Sequence, residues 1–136
     1  MKLVVCLDDN NGMMFNGRRQ SQDRNLRERL ISRIGDKLLL MNQYTNNQFA
    51  NLKGNFKVCE NFISVAKDDD YCFIENLDVT DWLNEATEII VYKWNRVYPA
   101  DLNFPFESIK QRWNLIECYE FAGFSHEKIT EEVYRR

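Results

Sequence analysis

The sequence predicts an α/β domain built on a mostly parallel central sheet with helices on its flanks. Short β-branched apolar runs recur along the chain, and strands that are buried on both faces have this continuous apolar character. The first two runs enclose a segment of helical periodicity, which is the strand–helix–strand arrangement of a parallel sheet. The length of 136 residues suits a single domain over residues 1–136, and no repeat or linker divides it.

The N-terminal part of the chain predicts a strand, a loop and a helix. Residues 2–7 form an apolar run closed by Asp and Asn residues, which is typical of a buried strand and its turn. Residues 13–22 show no periodicity and are expected to form an exposed loop. A helix begins near Arg24, with Ser21 or Asp23 as its cap. The apolar stripe of this helix recurs every four residues and consists of Leu26, Leu30 and Ile34.

Further apolar runs predict the remaining elements. Strands are expected at residues 37–41, 56–58, 71–74, 89–92 and 112–121. Short helices are expected at residues 44–52, 60–66 and 79–86. The last ten residues suit a strand or a helix, because Ile129 and Val133 lie four residues apart.

The composition argues against several classes of function. The net charge of −3 makes nucleic-acid binding improbable, although six arginines lie between residues 18 and 33, where they can meet an anion or an acidic partner. One His and four well-separated Cys do not supply the paired ligands of a zinc site. The sequence shows neither a signal peptide nor an apolar run of the roughly 20 residues that span a membrane. We therefore expect a cytoplasmic protein without membrane contact.

The order and spacing of these elements resemble the dihydrofolate reductase family over nearly the whole chain. The likeness is strongest in residues 100–105 (ADLNFP), in the Trp113 that follows, and in the Ser125–His126 pair before the terminal segment. The resemblance implies a dihydrofolate reductase-like fold with an antiparallel C-terminal strand, and a mainly structural role for the Ser–His pair. It also implies that Asp23 stands where the family has its single active-site carboxylate.

The resemblance further implies a ligand pocket around Asp23. Its expected lining consists of Val5, Cys6, Arg27, Thr45 and Tyr92. Arg27 stands where the family has an aromatic residue that contacts the pterin, and Tyr92 stands where it has a small threonine. A cationic pocket mouth suits an anion better than a flat apolar ring.

The cofactor side of the resemblance departs further from the family. After the strand at residues 71–74 the family has two glycines that let the backbone approach the cofactor pyrophosphate, whereas this chain has Glu75 and Asn76. Asn42 begins the pair that replaces a Gly–Arg pair, and the adenine-binding region is largely absent. The resemblance therefore implies that the cofactor site at Asn42, Glu75 and Asn76 is degenerate. We expect no bound cofactor, and NADPH is the one candidate if a cofactor does bind.

These departures favour a non-redox module that binds a small anionic or nucleotide-like ligand, or a protein partner. The alternative is a diverged NAD(P)H-dependent reductase of a pterin-like substrate, with Asp23 as its catalytic acid. Asp23 has a further interpretation as a helix cap alone, which contributes on the order of 1 kcal/mol. A nuclease of the ribonuclease Z kind is a remote alternative, because its zinc requires a His- and Asp-rich motif that is missing from the sequence.

Overall fold

Strands and short helices alternate along the chain, and the computed structural model describes residues 1–136. The strands are β1 (Lys2–Leu7), β2 (Gly12–Phe15), β3 (Arg18–Arg19), β4 (Leu39–Met41), β5 (Phe56–Val58), β6 (Tyr71–Phe73), β7 (Glu88–Lys93), β8 (Leu102–Asn103), β9 (Asn114–Phe121) and β10 (Ile129–Arg135). The helices are α1 (Arg24–Ile34), α2 (Gln43–Asn46), α3 (Phe62–Val65) and α4 (Phe106–Ile109), with 3-10 turns at Asn47–Phe49 and Thr80–Trp82.

Seven strands form the central sheet in the spatial order β5-β4-β6-β1-β7-β10-β9. The first five are parallel, whereas β10 runs antiparallel to both β7 and β9. The central strand β1 is buried on both faces, with Leu3 and Val5 in one core cluster and Val4 in the other. The predicted α/β class, the mostly parallel sheet and the antiparallel C-terminal strand are thereby confirmed.

The chain leaves the centre of the sheet in opposite directions after β1 and after β6. From β1 it continues through α1 to β4, and from β6 it continues to β7 on the other side of β1. Leu30 of α1 packs in the cluster that contains Val4, whereas Val79 and Leu83, which follow β6, pack in the opposite cluster. The neighbouring ends of β1 and β6 are therefore a topological switch point, where open α/β sheets bind their ligands.

The prediction of an exposed loop at residues 13–22 is wrong, because the segment contains a β-hairpin. Strands β2 and β3 pair antiparallel around Asn16 and Gly17, and both turn residues have positive φ, as a two-residue type I′ hairpin requires. Strand β8, which the sequence did not predict, pairs with β2 and completes a three-stranded sheet. Met13 and Met14 are buried against the main core.

The other predicted elements lie within a few residues of the observed ones. The helix expected at residues 79–86 is reduced to one 3-10 turn, and the segment at 44–52 divides into α2 and a 3-10 turn. Asp23, rather than Ser21, is the N-cap of α1. Among the helices of the structure, none combines the length and the apolar character that crossing a membrane requires.

A substitution at Gly17 tests the hairpin. Gly17 has a φ of +72° and no atom within 4 Å of the position of an added Cβ, so a side chain there strains only the backbone. We expect Gly17→Val to lower the free energy of unfolding by about 1–2 kcal/mol. Gly17→Asn is the matched control and should cost less, because Asn tolerates left-handed backbone. Urea unfolding measures both losses, and equal losses for the two variants would contradict the type I′ turn.

Candidate functional site

At the switch point, the side chain of Arg19 joins the end of β6 to α2. Its Nε and Nη2 donate to the two carboxylate oxygens of Glu75 at 2.9 and 3.1 Å, which makes a bidentate ion pair. The guanidinium also lies 4.4 Å from the ring centroid of Tyr44 and donates to the Tyr44 carbonyl oxygen at 3.0 Å. Because Arg19 belongs to β3, these contacts attach the β2–β3 hairpin to the carboxyl-terminal ends of β4 and β6 in the central sheet.

Asn42 and Asn76 lie at the same carboxyl-terminal ends of β4 and β6, and their side chains are hydrogen-bonded to each other. Nδ2 of Asn42 donates to Oδ1 of Asn76 at 2.8 Å, and Oδ1 of Asn42 caps α2 by accepting from the Thr45 N–H. Cys6 borders the group, and burial, followed by the negative charge of Glu75, raises the pKa of its thiol well above the ordinary value. All three residues predicted as a degenerate cofactor site thus bond to neighbours within the chain.

Away from the switch point, a polar cleft of about 420 Å³ lies between the N-terminal half of α1 and residues 47–52. Arg27 and Gln48 line it, together with Gln22 and Arg24. Nη1 of Arg27 donates to Oε1 of Gln22 at 3.0 Å, but the buried Nε of Arg27 and the buried Nε2 of Gln48 have no hydrogen-bond partner. Two residues that line this cleft thus each carry an N–H donor without a partner, and such donors suit an acceptor that is negatively charged.

Arg27 differs from most of the neighbouring arginines because it has no acidic partner. The ion-paired arginines of this segment are Arg19 with Glu75, Arg24 with Glu28, and Arg29 and Arg33 with Glu131. Burial lowers the pKa of Arg27, and the positive charges of Arg19 and Arg24 lower it further, whereas Asp23 opposes the shift. An anion in the cleft, which Arg24 and Arg27 both line, would offset the repulsion between these two guanidinium groups.

The carboxylate of Asp23 is fully buried and caps α1 while binding the turn at residues 124–126. It accepts hydrogen bonds from the N–H groups of residues 25, 26, 124 and 125, from the Ser125 hydroxyl, and from Nδ1 of His126 at 2.9 Å. Burial alone would raise the pKa of Asp23, but the bonds from His126 and the backbone outweigh it and hold the pKa far below its usual range. This geometry supports the interpretation of Asp23 as a cap.

His126, the one histidine of the chain, is held on three sides. Besides the bond to Asp23, its Nε2 lies 2.9 Å from the hydroxyl oxygen of Ser21. Its ring stacks on Trp94, with centroids 4.7 Å apart and planes at 25°. No pattern in the sequence indicates the Ser21 contact, because the two residues are 105 positions apart.

The other residues of the predicted pocket do not converge on one cavity. Val5 is buried in the core cluster on the side of β1 away from α1, and Tyr92 is buried in the opposite cluster, beneath α1. Thr45 is fully buried beside Asn42, and its hydroxyl has no partner. Cys6 borders the Arg19 group, and Arg27 lines the polar cleft. No group of three or more His, Cys, Asp or Glu side chains is arranged to hold a metal ion.

Comparison with known proteins places this architecture among solved structures. A dihydrofolate reductase from Enterococcus faecalis, complexed with NADP(H) and RAB-propyl, matches the chain with a TM-score of 0.69 and 8% sequence identity. The match covers 99% of this chain and 95% of that one, so the likeness extends over the whole domain. No family model matches the sequence, and no curated protein resembles it closely enough in sequence to be a match.

Proposed function

We propose, on the premise that the chain has a dihydrofolate reductase-like fold, that it is a non-redox module that binds a small anionic ligand beside Arg27. The observation that carries this proposal is that two residues lining one cleft each have a buried donor without a partner, namely Nε of Arg27 and Nε2 of Gln48. Each buried donor left without an acceptor costs about 1–3 kcal/mol, which a carboxylate or phosphate oxygen would recover. The cleft volume of about 420 Å³ admits a ligand as large as a nucleoside monophosphate.

The residues at the ends of β1 and β6 support the non-redox part of the proposal, because they do not fit NADPH. The Arg19–Glu75 ion pair lies at the switch point, where a dinucleotide would approach the backbone. The Glu75 carboxylate repels phosphate, and the guanidinium that would attract phosphate is already neutralised by it. In this proposal the reductase-type groove anchors the hairpin and holds no cofactor.

The reductase alternative depends on Asp23 as a catalytic acid. The surroundings of Asp23 favour this alternative less than they favour the non-redox module. A general acid must carry a proton near neutral pH and reach the substrate. The pKa of Asp23 is lowered, against the effect of its burial, by hydrogen bonds from His126 and the backbone. Its carboxylate is fully buried and bonded within the chain. We therefore do not assign Asp23 the role of general acid in a reduction, and we assign ligand binding to the polar cleft.

Calorimetric titration with inorganic phosphate, glutarate and adenosine monophosphate tests the proposal. We expect at least one of these anions to bind in the micromolar to millimolar range. Arg27→Gln should weaken that binding at least about 10-fold, because a hydrogen bond to a charged group is worth about 1.5–3 kcal/mol. Arg112→Gln, which removes an exposed arginine elsewhere, is the matched control and should bind as the wild type does. Failure of all three anions to bind, or equal binding by Arg27→Gln, would reject the proposal.

A further inference from the structure

Ser21, His126 and Asp23 form a hydrogen-bonded series at the N-terminal end of α1. Oγ of Ser21 lies 2.9 Å from Nε2 of His126, and Nδ1 of His126 lies 2.9 Å from Oδ2 of Asp23. In serine hydrolases, the same order of groups lets an imidazole take the hydroxyl proton while a buried carboxylate orients the ring. We propose that Ser21 is the nucleophile of an acyl-transfer site that hydrolyses small carboxylic esters, with His126 as its base.

Exposure to solvent increases from Asp23 through His126 to Ser21, as such a site requires. The side chain of Asp23 is 0% exposed and that of His126 is 3% exposed, so the carboxylate and the imidazole are shielded from water. Ser21 is only half-buried, because it precedes the helix in the segment between β3 and α1. Ser21 is thus the member of the series that retains contact with solvent, and in the proposed site the ester approaches from this side.

The contacts around His126 fix both its tautomer and its orientation. The Asp23 carboxylate can only accept, so Nδ1 of His126 donates to it and Nε2 is the ring nitrogen that faces Ser21. In the neutral form of this tautomer, Nε2 presents its lone pair to the hydroxyl. The stacking on Trp94 holds the plane of the ring. Asp23 is in turn fixed by the N–H groups of Phe124 and Ser125, at 3.0 and 2.9 Å. This is the preorganisation by which a triad raises the reactivity of a serine hydroxyl.

The reaction needs only the ester and water. Oγ of Ser21 forms a bond to the carbonyl carbon while its proton passes to Nε2 of His126. The bond from that carbon to the alcohol oxygen then breaks, and the leaving alcohol takes the proton from Nε2. A water molecule gives a proton to Nε2 and attacks the acyl-serine, which releases the carboxylic acid and returns the proton to Ser21.

The test uses p-nitrophenyl acetate as the ester and a fluorophosphonate as the covalent probe. The probe bonds to an activated serine through phosphorus with loss of fluoride, and its position is mapped by mass spectrometry. We expect one adduct, on Ser21, and we expect Ser21→Ala to lose it and to lower kcat/KM for the ester at least about 100-fold. Ser108→Ala, at an exposed serine of α4, is the matched control. It should retain the adduct on Ser21 and the wild-type kcat/KM for the ester.

His126→Gln separates an activated serine from one that is merely exposed. This variant keeps the Ser21 hydroxyl but removes its base, so we expect the adduct to disappear at a temperature where circular dichroism shows the variant folded. Labelling of Ser21 at the wild-type rate in this variant would overturn the proposal. An adduct on another residue, no adduct in the wild type, or unchanged ester hydrolysis by Ser21→Ala would overturn it as well, and none of these results depends on the anion cleft.

Discussion

Asp23→Ala lowers the free energy of unfolding by about 3–5 kcal/mol, the cost of removing one partner from a buried charged pair. The variant loses the N-cap of α1 and leaves buried His126 without its carboxylate. The N–H groups of Phe124 and Ser125 also lose their acceptor. Differential scanning calorimetry should show a melting temperature lower by on the order of 10 °C.

A matched substitution distinguishes this loss from a general effect of removing an aspartate. Asp68 is exposed, so Asp68→Ala should change the free energy of unfolding by less than about 0.5 kcal/mol. If Asp23→Ala also costs less than about 1 kcal/mol, Asp23 does not join α1 to the turn at residues 124–126 in the way described above.

The same carboxylate makes stability depend on pH. The folded-state pKa of Asp23 lies below its usual range because the bonds from His126 and the backbone outweigh burial. The group therefore stabilises the fold fully above the unfolded-state pKa of about 3.9, and this contribution is lost as the pH falls towards the lower folded-state value. Urea unfolding in steps from neutral pH to about pH 2 should show a steeper loss for the wild type than for Asp23→Asn. Parallel curves would contradict the assignment.

Breaking the Arg19–Glu75 pair should have the next largest effect on stability. Glu75→Gln leaves Arg19, whose side chain is only 19% exposed, without its counter-ion, and we expect the free energy of unfolding to fall by about 2–3 kcal/mol. A double-mutant cycle of Glu75→Gln with Arg19→Met, measured by urea unfolding, should give a coupling of about 1–3 kcal/mol.

The exposed pair Arg24–Glu28 provides the matched comparison for this cycle. Both of its side chains are more than half exposed, so a cycle on the pair should give no more than about 0.5 kcal/mol. Equal couplings in the two cycles would mean that Arg19 and Glu75 also form a solvated surface contact, and the hairpin would then not be anchored at the switch point.

The central part of the fold could be predicted because its signals are local. The strands at the sheet centre are uninterrupted apolar runs, and α1 has a stripe at helical spacing and a recognisable cap in Asp23. The β2–β3 hairpin was missed because its polar turn and its arginines have the composition of an exposed loop. Its one clear signal was the Asn16–Gly17 pair.

The sites were harder to predict because they depend on contacts between distant parts of the chain. Arg19 and Glu75 are 56 positions apart, and neither lies in a pattern that indicates the other. The polar cleft contains an unpaired arginine because Arg27, unlike Arg24, finds no acidic partner, and only the folded chain decides this. The resemblance identified Asp23, but could not show that His126 and the turn at residues 124–126 enclose its carboxylate.

We propose that this reductase-like scaffold carries out no redox chemistry. The most direct test mixes the protein with NADPH and dihydrofolate and follows the absorbance of the reduced nicotinamide. We predict no oxidation of NADPH above the rate in buffer alone, because the Arg19–Glu75 pair occupies the switch point at which open α/β sheets bind their ligands. Oxidation of NADPH that depends on dihydrofolate and is abolished in Asp23→Asn would contradict the claim.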